Sequence, residues 1–131
     1  MKTPDTNAKR ILVVEDEPAI GELCRRVLTG EGFEVDLAAS GKAAQGMIKK
    51  QQYDLFLFDI RLPVVNGIEL YQWLQDKYPQ LTSRVIFTTG SVIGVNTINF
   101  MRETGRPYLP KPFNHKDLAT IVMETYRSIE N

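Results

Sequence analysis

Three consecutive acids, Glu15, Asp16 and Glu17, close the apolar run ILVV, and another acid, Asp59, closes the apolar run LFLF. Two further apolar stretches end in hydroxyls and in an amine. Val85, Ile86 and Phe87 lead into Thr88, Thr89 and Gly90, and the short stretch from Arg106 to Pro110 is followed by Lys111. If these ends meet, three or more carboxylates in one crevice repel one another unless a cation compensates. A cage of oxygen donors selects a hard divalent ion, above all Mg2+. A hydroxyl and an ammonium brought to the same place are the groups that hold phosphoryl oxygens. A carboxylate can attack phosphorus to form an acyl phosphate while a metal cancels the repulsion between the two anions. Asp59, central and isolated, is the best nucleophile of the set. Lys111 would pair with it at rest and with a phosphoryl oxygen afterwards.

The elements that must position these residues follow from hydrophobic periodicity. Residues 55–58 are apolar without alternation, as expected of a strand buried on both faces of a parallel sheet, and Pro63, Asn66 and Gly67 form a loop beyond Asp59. Ile20, Leu23, Cys24, Val27 and Leu28 make one face of a helix that starts at Pro18 and ends at Gly30 and Gly32. Phe33, Val35 and Leu37 alternate with Glu34 and Asp36, predicting a half-exposed strand near the sheet edge. Ser40 is the expected N-cap of a helix that turns Ala43, Ala44, Met47 and Ile48 inward. A third helix runs from Ile68 towards Tyr78, and a fourth is firm only from about Asn96 to Glu103. Gly94 and its β-branched neighbours weaken the start of that fourth helix, so the segment is expected to rearrange. A fifth strand spans Arg106 to Pro110, and Asn114 caps a final helix with Phe113 stapled onto Leu118. Five alternations of strand and helix predict an α/β fold: a doubly wound parallel sheet with helices on both faces and all the polar strand ends along one edge.

With 131 residues, 43% of them hydrophobic, the chain is read as one domain, residues 9–131, after a disordered lead-in, residues 1–8. Sixteen basic residues balance 16 acidic ones without long basic runs, so no nucleic-acid partner is expected. No apolar run approaches a membrane span and no signal-peptide core is present, so no membrane partner is expected either and the location is read as cytoplasmic. The single cysteine, Cys24, lies in a helical apolar stripe and is read as buried packing. The chain ends with its last helix, so no output domain is expected within it.

The segments VVEDEP, LFLFDIRLPVVNG, VIFTTG and PYLPKPF, in this order and spacing, resemble the signature segments of two-component response-regulator receiver domains. The resemblance covers roughly residues 9 to 129, and its specificity comes from the joint agreement of four segments. It implies a flavodoxin-like, five-stranded parallel sheet of strand order 2-1-3-4-5. It implies Asp59 as the phosphoacceptor, Glu15 and Asp16 as the acidic pair around Mg2+, and the backbone carbonyl of Arg61 as a further metal ligand. Thr89 would be the hydroxyl of the site, Lys111 its lysine and Tyr108 the switch aromatic, with a cis bond commonly found between Lys111 and Pro112. The implied partners are a sensor histidine kinase or histidine phosphotransfer protein, and a downstream protein that reads the 91–129 face of a monomer or weak dimer. Glu15 stands where many members have Asp, and Gly105, Arg106 and Pro107 replace a frequent Gly-Ala-Asp. The run RETGRPYLPKPF resembles receivers attached to hybrid sensor kinases.

Other classes fit less well. An aspartate-nucleophile phosphohydrolase wants a second carboxylate two residues after the first, where Arg61 stands. A flavodoxin-like cofactor binder needs a phosphate-cradling loop after the first strand, where the acidic EDEP stands. A receiver-like module that docks without being phosphorylated is the alternative that residue types leave open.

Overall fold

The computed structural model describes residues 9–90 and 94–130; the expected lead-in and the first residues of the segment after Gly90 lie outside them. Five strands, β1 (Lys9–Val14), β2 (Phe33–Ala38), β3 (Leu55–Asp59), β4 (Val85–Thr89) and β5 (Tyr108–Pro110), form one sheet ordered β2-β1-β3-β4-β5. Every neighbouring pair is parallel. The uninterrupted apolar strands β1, β3 and β4 take the middle. The alternating β2 and the proline-bearing β5 take the edges, where one side of the ladder is unpaired.

Each crossover is a helix: α1 (Pro18–Gly30), α2 (Gly41–Lys50), α3 (Gly67–Lys77) and α4 (Val95–Thr104), with α5 (His115–Glu130) closing the fold. Because side chains alternate along a strand, the sheet feeds two cores. Leu12, Val14, Phe56, Phe58, Val85 and Phe87 face Ala44 and Ile48 of α2, Leu70, Tyr71 and Leu74 of α3 and Met101 of α4. Ile11, Val13, Leu55, Leu57, Ile86 and Leu109 face Cys24 and Leu28 of α1 and Leu118 and Val122 of α5. Cys24 is buried, and burial pushes its thiol up to about 12, which makes it inert packing.

Local chemistry sets the helix starts. The Ser40 hydroxyl accepts from the Ala43 N–H at 3.1 Å, and Asn114 Oδ1 accepts from the Asp117 N–H at 2.8 Å. Asn66 and Glu69 form a reciprocal capping box at α3. Two expectations change in detail. Ala43 is exposed, since at the first turn of α2 the inward stripe runs through Gly41, Ala44 and Ile48. Strand β5 begins at Tyr108 and not at Arg106, because the Arg106 side chain ties the approach to β4, donating to Val85 O at 3.0 Å and Ser83 O at 2.7 Å. A 3-10 turn over Pro79–Arg84, unforeseen in the sequence, links α3 to β4. Among the described residues, no helix is long and apolar enough to cross a membrane.

Candidate functional site

Parallel strands bring their carboxyl ends to one edge of the sheet, and register decides which residues meet there. Val14 pairs with Phe58, and Asp59 pairs with Thr88, so Glu15, just past β1, lies level with Asp59 at the end of β3 and with Thr88, the last residue but one of β4. The backbone holds this level: Glu15 N donates to Ala38 O at 3.0 Å, Ile60 N to Thr88 O at 3.0 Å, and Lys111 N to Thr89 O at 2.7 Å. Gly67 brings the start of α3 against the end of β3, its N–H bonding Ile60 O at 3.0 Å. A Cβ at Gly67 would lie 2.4 Å from the carbonyl oxygen of Asp59, so only glycine permits this approach.

Asp59 is 3% exposed, and both its carboxylate oxygens are held. Oδ1 accepts from the Arg61 N–H at 3.0 Å and Oδ2 from Lys111 Nζ at 3.1 Å. The same ammonium lies 2.7 Å from Glu15 Oε1, while Glu15 Oε2 accepts the Glu17 N–H at 3.2 Å. Glu15, Asp16 and Asp59 each offer a carboxylate oxygen within 4.8 Å of the others, with Asp16 exposed and the other two buried. Burial raises the Glu15 carboxyl to about 7, with the charge of Asp59 adding to the rise; the bonds from Lys111 and from the Glu17 N–H offset it in part. Burial alone would lower Lys111, but the bonds to Glu15 and Asp59 outweigh it and hold the ammonium above its ordinary value.

Thr88 and Thr89 are buried, and both hydroxyl oxygens lack a hydrogen-bond partner among the described residues. Tyr108 pairs with Phe87 in register, one strand further out, so it lies outside the acidic cluster. Its side chain is 50% exposed and borders a cavity of about 380 Å³ lined also by Ile98, Met101 and Arg102 of α4. The backbone of Arg61 joins the site through its N–H, and its exposed side chain extends across the end of β4, where a Cβ on Gly90 would lie 3.7 Å from Arg61 Cδ. The Lys111–Pro112 bond is cis. The edge therefore gathers Glu15, Asp16, Asp59 and Lys111, with Thr89 tied in through its carbonyl. Sequence reasoning missed the Glu15–Lys111 pair, which depends on how far two side chains reach, and the pairing of Thr88 with Asp59, which depends on register.

The model of the response regulator receiver domain family matches residues 11–123. The chain belongs to that family. As a receiver domain of two-component systems it is 31% identical over 127 residues to the DNA-binding response regulator MtrA of Mycolicibacterium smegmatis, covering 97% of this chain and 54% of the relative. It is 30% identical to the transcriptional regulatory protein PcoR of Escherichia coli over 91% of this chain and 52% of that one. A crystal structure of a CheY-like receiver domain protein from Methanospirillum hungatei JF-1 superposes with a TM-score of 0.85 at 32% identity, covering 95% of this chain and 98% of the other. The receiver chain spans about half the length of the curated relatives it matches.

These relatives correct one expectation. The neutral charge balance was read as excluding a nucleic-acid partner, yet the relatives are named as DNA-binding and transcriptional regulators. The reason is one of scope: charge balance over these residues describes their own surface, and the relatives named as DNA-binding and transcriptional regulators are about twice as long.

Proposed function

We propose that Asp59 accepts a phosphoryl group from the phosphohistidine of a kinase, with Mg2+ held at the acidic edge. A carboxylate oxygen of Asp59 attacks phosphorus and the phosphorus–nitrogen bond breaks. The imidazole leaves with that electron pair, and an acyl phosphate forms on Asp59. The observation that carries this reading is the buried Asp59 carboxylate, held at the end of the central strand between the Arg61 N–H and the Lys111 ammonium. That arrangement fixes the nucleophile and keeps water away from it.

The donor set fits a hard divalent ion, since three carboxylate oxygens lie within 4.8 Å and one cation, Lys111, faces two buried acids. Glu15, Asp16, Asp59 and the Arg61 carbonyl would hold it, and when bound it supplies charge that offsets the repulsion between carboxylate and phosphoryl oxygens. Lys111 then pairs with a phosphoryl oxygen, and the Thr89 hydroxyl, buried and without a partner among the described residues, donates to another. Drawing Thr89 towards Asp59 vacates space beside Phe87 into which the exposed ring of Tyr108 turns, and this repacks the surface made by α4 and β5. By likeness to relatives named as DNA-binding, we extend the reading to a nucleic-acid output for the whole protein.

The test is incubation with phosphoramidate and Mg2+, followed by borohydride reduction, which converts an aspartyl phosphate to homoserine. Peptide mapping is expected to find homoserine at residue 59; the reduced alcohol at another acid instead, homoserine from an aspartate or 5-hydroxynorvaline from a glutamate, would overturn the assignment.

A further inference from the structure

We propose that the Thr88 hydroxyl is a positioning residue for Lys111, accepting an N–H of its ammonium when that ammonium turns from Asp59 to a phosphoryl oxygen. The inference rests on Asp59 as the phosphoacceptor and adds a residue to that site. Three observations carry it.

The first is register. Thr88 is the partner of Asp59 on β4, and β4 lies between β3 and β5. Strand alternation puts Thr88 on the side of the sheet that carries Leu57, Ile86 and Leu109, the side packed by α1 and α5.

The second is the path of Lys111. It follows β5, yet its Nζ reaches Asp59 at the end of β3 and Glu15 at the end of β1. To do so the side chain must cross the end of β4, where Thr88 stands beside Asp59.

The third is hydrogen-bond accounting. A lysine ammonium has three N–H groups, and among the described residues the Lys111 ammonium meets two acceptors, Glu15 Oε1 and Asp59 Oδ2. The Thr88 hydroxyl, on a residue 3% exposed, has no partner among the described residues. Valine would fill the same space in an otherwise apolar run without burying an unpaired oxygen, so the hydroxyl is a local cost that packing alone does not explain. Once a phosphoryl group occupies Asp59, Lys111 must give up its present contact with Oδ2. An oxygen on the strand it crosses then holds the ammonium over β4 instead of letting it fall back to Glu15.

Beryllofluoride with Mg2+ serves as the phosphoryl mimic, with binding followed by amide NMR shifts in the parent, Thr88→Val, Thr88→Ser and Lys111→Met, and in Thr88→Val combined with Lys111→Met. Thr88→Val is expected to melt no lower than the parent, because an unpaired hydroxyl is replaced by a methyl. It is expected to bind the mimic about tenfold more weakly, the loss of one hydrogen bond to a charged group, while Thr88→Ser restores binding. In the Lys111→Met background the Thr88→Val change is expected to have no further effect, since the residue acts through the lysine. Parent-like binding by Thr88→Val, or an undiminished loss in the Lys111→Met background, would overturn the proposal. If Asp59→Asn binds the mimic as tightly as the parent, the phosphoacceptor reading itself falls, and the role of Thr88 falls with it.

Discussion

Lys111 Nζ lies 2.7 Å from Glu15 Oε1, closer than the 3.1 Å that separates it from Asp59 Oδ2. One ammonium thus serves two buried carboxylates from different strands, and the resting site is an ion triad with the amine shared. Lys111→Met leaves both acids facing each other without a cation. Its side chain keeps 16% of its exposure, so the cost is expected below the roughly 3–5 kcal/mol of breaking a fully buried pair, at about 2 kcal/mol. Thermal melts at pH 8 should show the loss, and added Mg2+ should restore part of it. A variant as stable as the parent at pH 8 would mean that the triad does not support the edge.

The pH dependence of the metal-free domain follows from Glu15. Its folded carboxyl is raised to about 7 against an ordinary value of 4.5, so between these values the folded state binds a proton that the unfolded state does not. The resulting stability is fully present below about 4.5 and is lost as pH rises through 7. Melts in chelator are therefore expected to give a higher Tm at pH 6 than at pH 8 for the parent, and a flatter profile for Glu15→Gln. Mg2+ at the proposed site would compete with that proton, so its affinity is expected to strengthen as pH rises through 7 in the parent. A parent profile as flat as that of Glu15→Gln would contradict the assignment to this residue.

Gly67→Ala tests the closeness of α3 to the end of β3. The added carbon would sit 2.4 Å from Asp59 O, so backbone must shift, at a cost of about 1–3 kcal/mol. Gly46, in α2, has nothing within 4 Å of the corresponding position. Gly46→Ala should match or exceed parent stability in denaturant melts, and equal behaviour of the two variants would show that the approach at Gly67 is not tight.

Why the fold was readable while part of the site was not can be seen in particular residues. The runs at Ile11–Val14, Leu55–Phe58 and Val85–Phe87 are apolar at every position, which only a strand covered on both faces requires, and the alternation at Phe33–Leu37 marked an edge. Ser40 and Asn114 carry cap chemistry in their side chains, so the starts of α2 and α5 were legible as well, whereas Asn66, expected only as a turn former, caps α3. Pro79–Arg84 carries no periodicity that separates a 3-10 turn from a loop, and nothing local to Arg106, expected at the start of the fifth strand, shows that its guanidinium reaches the carbonyls of Ser83 and Val85. At the edge, residue types identified the acids and the amine. The sharing of Lys111 between Glu15 and Asp59 is set by side-chain reach across two intervening strand ends, and no local pattern encodes it.

The proposed coupling of Thr89 to Tyr108 predicts a long-range response. With beryllofluoride and Mg2+, the parent is expected to shift amide resonances through residues 94–110, whereas Thr89→Ala is expected to shift mainly those near Asp59. Equal long-range shifts in both would separate the hydroxyl from the readout.

The central claim is that the buried carboxylate of Asp59 is the phosphoacceptor, and intact mass measurement after exposure to phosphoramidate and Mg2+ addresses it most directly. The parent is expected to gain the mass of one phosphoryl group, to lose it on brief treatment at alkaline pH, and to gain nothing in the presence of chelator. Asp59→Asn, with Glu15, Asp16 and Lys111 intact, is expected to gain nothing under any of these conditions. Labelling of Asp59→Asn to the same extent as the parent would contradict the account.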